Sequence, residues 1–125
     1  MTATDAPVNL AAVAADLTET WSPRVVGSVN DLLVKVGKVE GEFVWHDHPE
    51  TDEFFLVLSG ALTIRLPDRE VSLQPGDCFV VPRGVRHCPV AATGTTIALL
   101  EPAGVVNTGA AGGTLTAPVD QPLPE

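Results

Sequence analysis

The stretch Gly41-Glu42-Phe43-Val44-Trp45-His46-Asp47-His48-Pro49-Glu50-Thr51-Asp52-Glu53, continuing through Phe54-Phe55-Leu56-Val57-Leu58-Ser59 to Gly60, decides how this chain is read. It carries two of the chain's three histidines. On a strand, residues i and i+2 point to one face, so His46 and His48 are expected to project together while Asp47 points away. Glu53 opens the next apolar run. A tight turn through Pro49-Glu50-Thr51-Asp52 would return its carboxylate to the two rings. The third histidine, His87, follows the turn Pro82-Arg83-Gly84-Val85. Three imidazoles and one carboxylate make a nitrogen and oxygen donor set that suits zinc, iron, manganese, nickel or copper and suits calcium or magnesium poorly. Neutral imidazole supplies a lone pair, the carboxylate offsets part of the metal charge, and four ligands leave an octahedral ion two open positions.

A bare His-x-His carries little alone, because histidines are more often surface or core residues than ligands. The surroundings add weight. Strand-like runs are expected over 24–28, 32–39, 42–48, 53–59, 61–66, 70–73, 78–81, 87–91 and 95–101. Turn chemistry separates them at Ser59-Gly60, Pro67-Asp68-Arg69, Gln74-Pro75-Gly76-Asp77, Pro82-Arg83-Gly84 and Ala92-Thr93-Gly94. Many short strands with such punctuation predict a sandwich or barrel. Ahead of them, Leu10, Val13, Ala14 and Leu17 fall at helical spacing, with Asn9 as N-cap. That helix is expected to end before Trp21-Ser22-Pro23, because the residue before a proline disfavours helix. The predicted organisation is an N-terminal helix and linker over 1–22, a β-barrel over 23–101, and a Pro/Gly-rich tail over 102–125, either mobile or laid over the barrel.

The spacing of these residues resembles the two motifs of the cupin family. The first usually reads Gly, five residues, His-x-His, three or four residues, Glu, six residues, Gly. Here Gly41, His46, His48, Glu53 and Gly60 follow it, with Gly41 one residue closer to the first histidine. The second usually reads Gly, five residues, Pro-x-Gly, two residues, His, three residues, Asn. Here Gly76, Pro82, Gly84 and His87 follow it, and Ala91 replaces the asparagine. The spacer 61–75 is similar in length to that of small single-domain bacterial cupins. The resemblance implies an all-β fold, a double-stranded β-helix or jelly-roll barrel preceded by the short helix. It also implies one divalent transition metal (Fe, Mn, Zn or Ni) held in the mouth by His46, His48, Glu53 and His87. Cupins of this kind include dioxygenases, isomerases, epimerases, decarboxylases, lyases and cyclases. A mononuclear metal enzyme acting on a small molecule is therefore expected, either a dioxygenase or an isomerase or lyase using Lewis-acid chemistry, with Glu53 as a base in some members. A non-catalytic module that binds a sugar or small acid is the alternative.

Composition narrows the field. The 125 residues carry 7 Lys+Arg against 16 Asp+Glu, net −9, which argues against nucleic acid and anionic membrane surfaces as partners. No run approaches a spanning helix and MTATDAPVNL has no leader pattern, so a cytoplasmic location is expected. There is no tyrosine to serve as the acid of a metal-independent epimerase. Cys78 and Cys88 are expected to be reduced and structural. Asp47, Glu50 and Asp52 are expected to form a solvated loop around the ligands. Arg65, Arg83 and Arg86 could clamp an acidic substrate, though surface pairing is the commoner fate of such residues. Phe43, Phe54, Phe55 and Phe79 are read as core before pocket, and Trp45 as packing that stiffens the ligand strand. The doubly apolar run 54–58, together with the greasy face of the helix, predicts a homodimer.

Overall fold

The computed structural model describes residues 6–124; residues 1–5 of the expected N-terminal segment and Glu125 lie outside them. Helix α1 spans Leu10–Ala15, and the Asn9 side chain accepts a hydrogen bond from the Ala12 amide at 2.9 Å, as an N-cap should. Seven strands follow: β1 (Arg24–Val29), β2 (Leu32–Glu42), β3 (Glu53–Ser59), β4 (Leu62–Arg65), β5 (Glu70–Leu73), β6 (Cys78–Val81) and β7 (Cys88–Pro102). Every ladder is antiparallel. The main order is β1-β2-β7-β3-β6, and β4 pairs with β5 and β7. The architecture is mostly β and fits a jelly roll, with α1 a minor addition.

Strand β7 joins the two layers. Its start, Cys88–Ala91, pairs with β4, and its later part, Thr96–Leu100, pairs with β3, while β2 accompanies both. Two expected strands, 87–91 and 95–101, are thus one. The turn chemistry of Ala92-Thr93-Gly94 makes a bulge instead of a hairpin. The register passes from Val39↔Thr95 to Gly41↔Ala91, so β7 uses extra residues there, and Gly94 takes φ +82°. The bulge bends β7 between layers.

The expected strand over 42–48 is also corrected. β2 stops at Glu42, and only an isolated bridge, His46↔His87, continues it. The Phe43 amide donates to Pro89 O at 2.9 Å, but proline has no N–H to return the bond, so the ladder breaks. Residues 43–48 therefore form a loop that crosses the barrel mouth.

Alternation places the core. Phe55 and Val57 of β3 point inward with Val39, Leu62, Ile64, Val81, Ile97 and Leu99. Val36, Ala98, Leu56 and Leu58 point outward and are covered by Ala14 and its neighbours on α1 and by Leu17 just beyond the helix. The doubly apolar character of β3 is thus used partly within the chain. At the barrel's other corner Gly60 takes φ +81°, and a Cβ there would meet Thr95, which is fully buried.

Residues 103–124 lie over the barrel. Gln121 O accepts from the Val25 amide at 2.8 Å, and Gln121 Nε2 donates to Ser22 Oγ at 2.7 Å. Asn107 acts as a clasp. Its Nδ2 donates to Trp21 O and Leu115 O, and its Oδ1 accepts from the Ala117 amide, each at 3.0 Å.

Candidate metal centre

Four side chains converge in the mouth. One donor atom from each of His46, His48, Glu53 and His87 lies within 4.8 Å of the other three, and all four residues are buried. The backbone does much of the positioning. His46 N donates to His87 O at 3.0 Å and His87 N to His46 O at 2.9 Å, so a reciprocal bridge sets these two residues side by side. Their ring centroids are 4.2 Å apart. Glu53 is the first residue of β3, which fixes its side chain toward the interior beside Phe55 and Val57.

The tautomers follow from the partners. Nδ1 of His46 lies 2.9 Å from Val44 O, and Nδ1 of His87 lies 2.9 Å from Val85 O. A carbonyl only accepts, so each Nδ1 carries the proton and each Nε2 keeps its lone pair. His87 Nε2 lies 3.1 Å from Glu53 Oε1. His48 Nε2 stands 3.5 Å from the same oxygen, and it is buried with no hydrogen-bond partner among the described residues. An orphaned imidazole nitrogen, two more with oriented lone pairs and a carboxylate fit a divalent transition metal.

Electrostatics agree with this. Burial, then the neighbouring His87, hold the His46 pKa down at about 4, so this ring stays neutral. Burial also pushes His48 down, but the carboxylates of Glu53, Glu101 and Asp47 outweigh it and raise its pKa above 6.5. For Glu53, burial acts upward, but the neighbouring His48 and His87 outweigh it and hold it at about 2. The site keeps an anion ready for a cation.

Two spaces adjoin the quartet. A cavity of about 30 Å³ inside the barrel touches His46, Glu53, Trp21, Phe43, Phe55 and Ile97, and it is too small for an organic molecule. A larger cavity of about 590 Å³ lies between the ligand loop, at His48 and Thr51, and the tail, at Pro102, Val106 and Gly109. A Cβ at Gly109 would run into Asp47 O, so the tail approaches the ligand loop closely.

Sequence reasoning missed a second charged group in the mouth. Glu101 is buried on the inward face of β7, in phase with Ile97 and Leu99. Lys35 Nζ donates to Glu101 Oε1 at 3.1 Å and to Asp120 Oδ1 of the tail at 2.9 Å. Burial, then the charge of Glu53, push Glu101 up to about 7 against the pull of Lys35. Burial acts to lower Lys35, but Glu101 and Asp120 together raise it. The two directions are compatible, because Lys35 faces two carboxylates while Glu101 faces one ammonium and another carboxylate. The signal was present in the sequence: Lys35 and Glu101 are charges at core-phase positions of apolar strands.

The remaining candidates lie outside the quartet. Arg65 pairs with Glu42 at 2.8 Å and Glu70 at 3.2 Å on the surface. Arg83 pairs with Asp52, whose Oδ1 also accepts the Arg83 amide. Arg86 sits over Trp45, which faces outward and is 38% exposed, so Trp45 packs on the surface and not in the core. Glu50 is exposed, and Asp47 lines the mouth cavity. Cys78 is exposed, Cys88 is buried, and both are free thiols. Phe43 stacks on Trp21 at 4.5 Å and meets the His46 ring edge-on, so it belongs to both core and pocket. Among the described residues no helix is long and apolar enough to cross a membrane.

A jelly-roll sheet with this quartet in its mouth defines a metal-binding class of barrel, and comparison with known proteins makes the class specific. The family model for the Cupin domain matches residues 32–101, and the chain belongs to the cupin family. It is 38% identical over 80 residues to the uncharacterized protein YdbB of Bacillus subtilis (strain 168), covering 63% of this chain and 71% of that one. It is 33% identical over 67 residues to the tetracenomycin polyketide synthase protein TcmJ of Streptomyces glaucescens; the match covers 53% of this chain and 45% of TcmJ. The crystal structure of a cupin-2 domain containing protein from Shewanella frigidimarina NCIMB 400 superposes with a TM-score of 0.73 at 43% identity, covering 76% of this chain and 93% of that one.

Proposed function

We propose that this cupin is an enzyme that acts on a small organic molecule at one divalent transition-metal ion held by His46, His48, Glu53 and His87. The observation that carries this reading is the orphaned, buried Nε2 of His48, which shares its surroundings with three more donors, on a residue that borders a cavity of about 590 Å³. A bound ion would supply Lewis acidity, or with iron the ability to engage dioxygen. The chain's own part is orientation. Val44 O and Val85 O fix the rings of His46 and His87, and the apolar wall of Phe43, Phe55 and Trp21 excludes water behind them. Glu53 is assigned to the ion and not to proton transfer, because a carboxyl held near 2 is a weak base. The substrate enters on the His48 side, where the larger cavity lies. The relative TcmJ, named for a polyketide synthase, is consistent with a small organic substrate.

The test combines metal analysis of protein purified without added metal with a substrate panel and oxygen uptake. Iron with oxygen consumption supports dioxygenation, and zinc with product but no oxygen uptake supports isomerisation or lysis. Turnover lost in His48→Ala supports the enzyme. Saturable binding with the compound recovered unchanged supports the non-catalytic binding module instead.

A further inference from the structure

Resting on that metal-centre reading, we propose that Glu101 is a ligand-binding residue of the site. Its Oε2 accepts a hydrogen bond from an O–H or N–H group of a molecule seated in the mouth, so the site selects ligands that carry such a donor beside their metal-binding atoms.

Placement comes first. The β3–β7 register runs Phe55↔Leu99 and Phe54↔Leu100, so the next step sets Glu101 beside Glu53 on the inward face. The next residue, Pro102, lines the same mouth cavity as His48. Glu101 thus borders the quartet at the end of β7, where Glu53 opens β3.

Hydrogen bonding comes second. Oε1 of Glu101 is taken by Lys35, whereas Oε2 is buried with no partner among the described residues. A buried carboxylate oxygen without a donor is costly. The ion pair with Lys35 does not explain it, because Lys35, shared with Asp120 at 2.9 Å, engages Oε1 alone. Lys35 instead anchors Oε1 and leaves Oε2 directed by its partner. With Glu53 beside it, this corner repels an additional anion and favours a donor.

The glutamine substitution gives a test with a sign. Lys35 only donates, so the Glu101→Gln amide must turn its oxygen to Lys35 and present its NH₂ where Oε2 stood. An acceptor becomes a donor. Wild type and Glu101→Gln are loaded with cobalt(II), and the visible cobalt bands are titrated with acetohydroxamate, which keeps an N–H when it chelates, and with oxalate, which has only acceptors. We expect acetohydroxamate to bind the variant roughly tenfold or more weaker and oxalate to bind it tighter. Both probes shifting in the same direction, or neither shifting, overturns the role of Glu101. Should the variant fold poorly, the wild type decides alone: preference for acetohydroxamate over N-methylacetohydroxamate supports the inference, and equal affinity overturns it. Metal analysis separates the two failures. A wild type that takes up no cobalt overturns the metal reading and this inference with it, whereas one cobalt per chain with insensitive probes overturns only the latter.

Discussion

Replacing Lys35 by methionine should cost far more stability than an ordinary surface change, and a second substitution should restore most of it. The side chains of Lys35 and Glu101 are 4% and 5% exposed, and their charged atoms are 3.1 Å apart. Lys35→Met keeps the volume but leaves the Glu101 carboxylate buried with both oxygens unpartnered. Removing one partner of a buried pair costs about 3–5 kcal/mol. For a chain of this size that corresponds to a fall in Tm of about 10–20 °C. Asp120 also loses its partner, but its side chain is 27% exposed and water can solvate it. The double variant Lys35→Met/Glu101→Leu removes the stranded charge and should return to within about 1 kcal/mol of wild type. The assay is urea and thermal unfolding followed by circular dichroism, with chelator present so that metal binding does not enter. The pH dependence adds a check. Burial and Glu53 already raise the folded pKa of Glu101 to about 7, above the unfolded 4.5. The folded state therefore holds this proton more tightly, and the associated stability is full below about 4.5 and lost as pH rises toward 7 and above. The Lys35→Met penalty should shrink at pH 5, where Glu101 can take up a proton. A single variant that loses less than 1 kcal/mol at pH 8, or a double variant no better than the single, would refute the reasoning.

Metal affinity should weaken on acidification, since the pKa of His48 is raised above the ordinary imidazole value and its proton must be expelled; calorimetry in buffers of different ionisation enthalpy reads that proton directly, and pH-independent binding between pH 7 and 5 would contradict it. Asn107→Ala removes three hydrogen bonds that tie the tail to Trp21 and to itself, so hydrogen exchange over 103–117 should accelerate by at least tenfold with little change in the central strands. A homodimer is proposed through Phe54, Leu100, Leu32 and Val80, which border one groove with Thr51, Asp52 and Arg83, and Val80 is 47% exposed. Light scattering should show a dimer that Val80→Asp converts to monomer; a wild-type monomer across micromolar concentrations defeats that proposal.

The parts legible in the sequence were local motifs. His46, His48, Glu53 and Gly60 sit within twenty residues, Gly76, Pro82, Gly84 and His87 form a second short motif, and the resemblance of both to the cupin motifs pointed to the four ligands. The Asn9 cap and the start of α1 were legible for the same reason. What escaped depended on partners far along the chain. Ala92-Thr93-Gly94 has the same chemistry whether it closes a hairpin or bulges a strand, and only the register against Val39 and Gly41 decides. The apolar run through Phe43 and Val44 looks like strand until Pro89, 46 residues later, fails to return a hydrogen bond. Glu101 gains its meaning from Lys35 and Asp120, which lie 66 and 85 residues apart from their partners along the chain.

The reciprocal amide pairing of His46 with His87 has a consequence for how the protein acquires its ion. The ring pair is held by main-chain bonds rather than by a guest, so loading should require no refolding and stripping should leave the scaffold standing. A preformed nest of mixed donors discriminates poorly among first-row ions, whose intrinsic ranking favours copper over iron or manganese. Which element occupies it is then set by supply at the moment of loading, and the same polypeptide can be obtained in different chemical states from cells grown on different media.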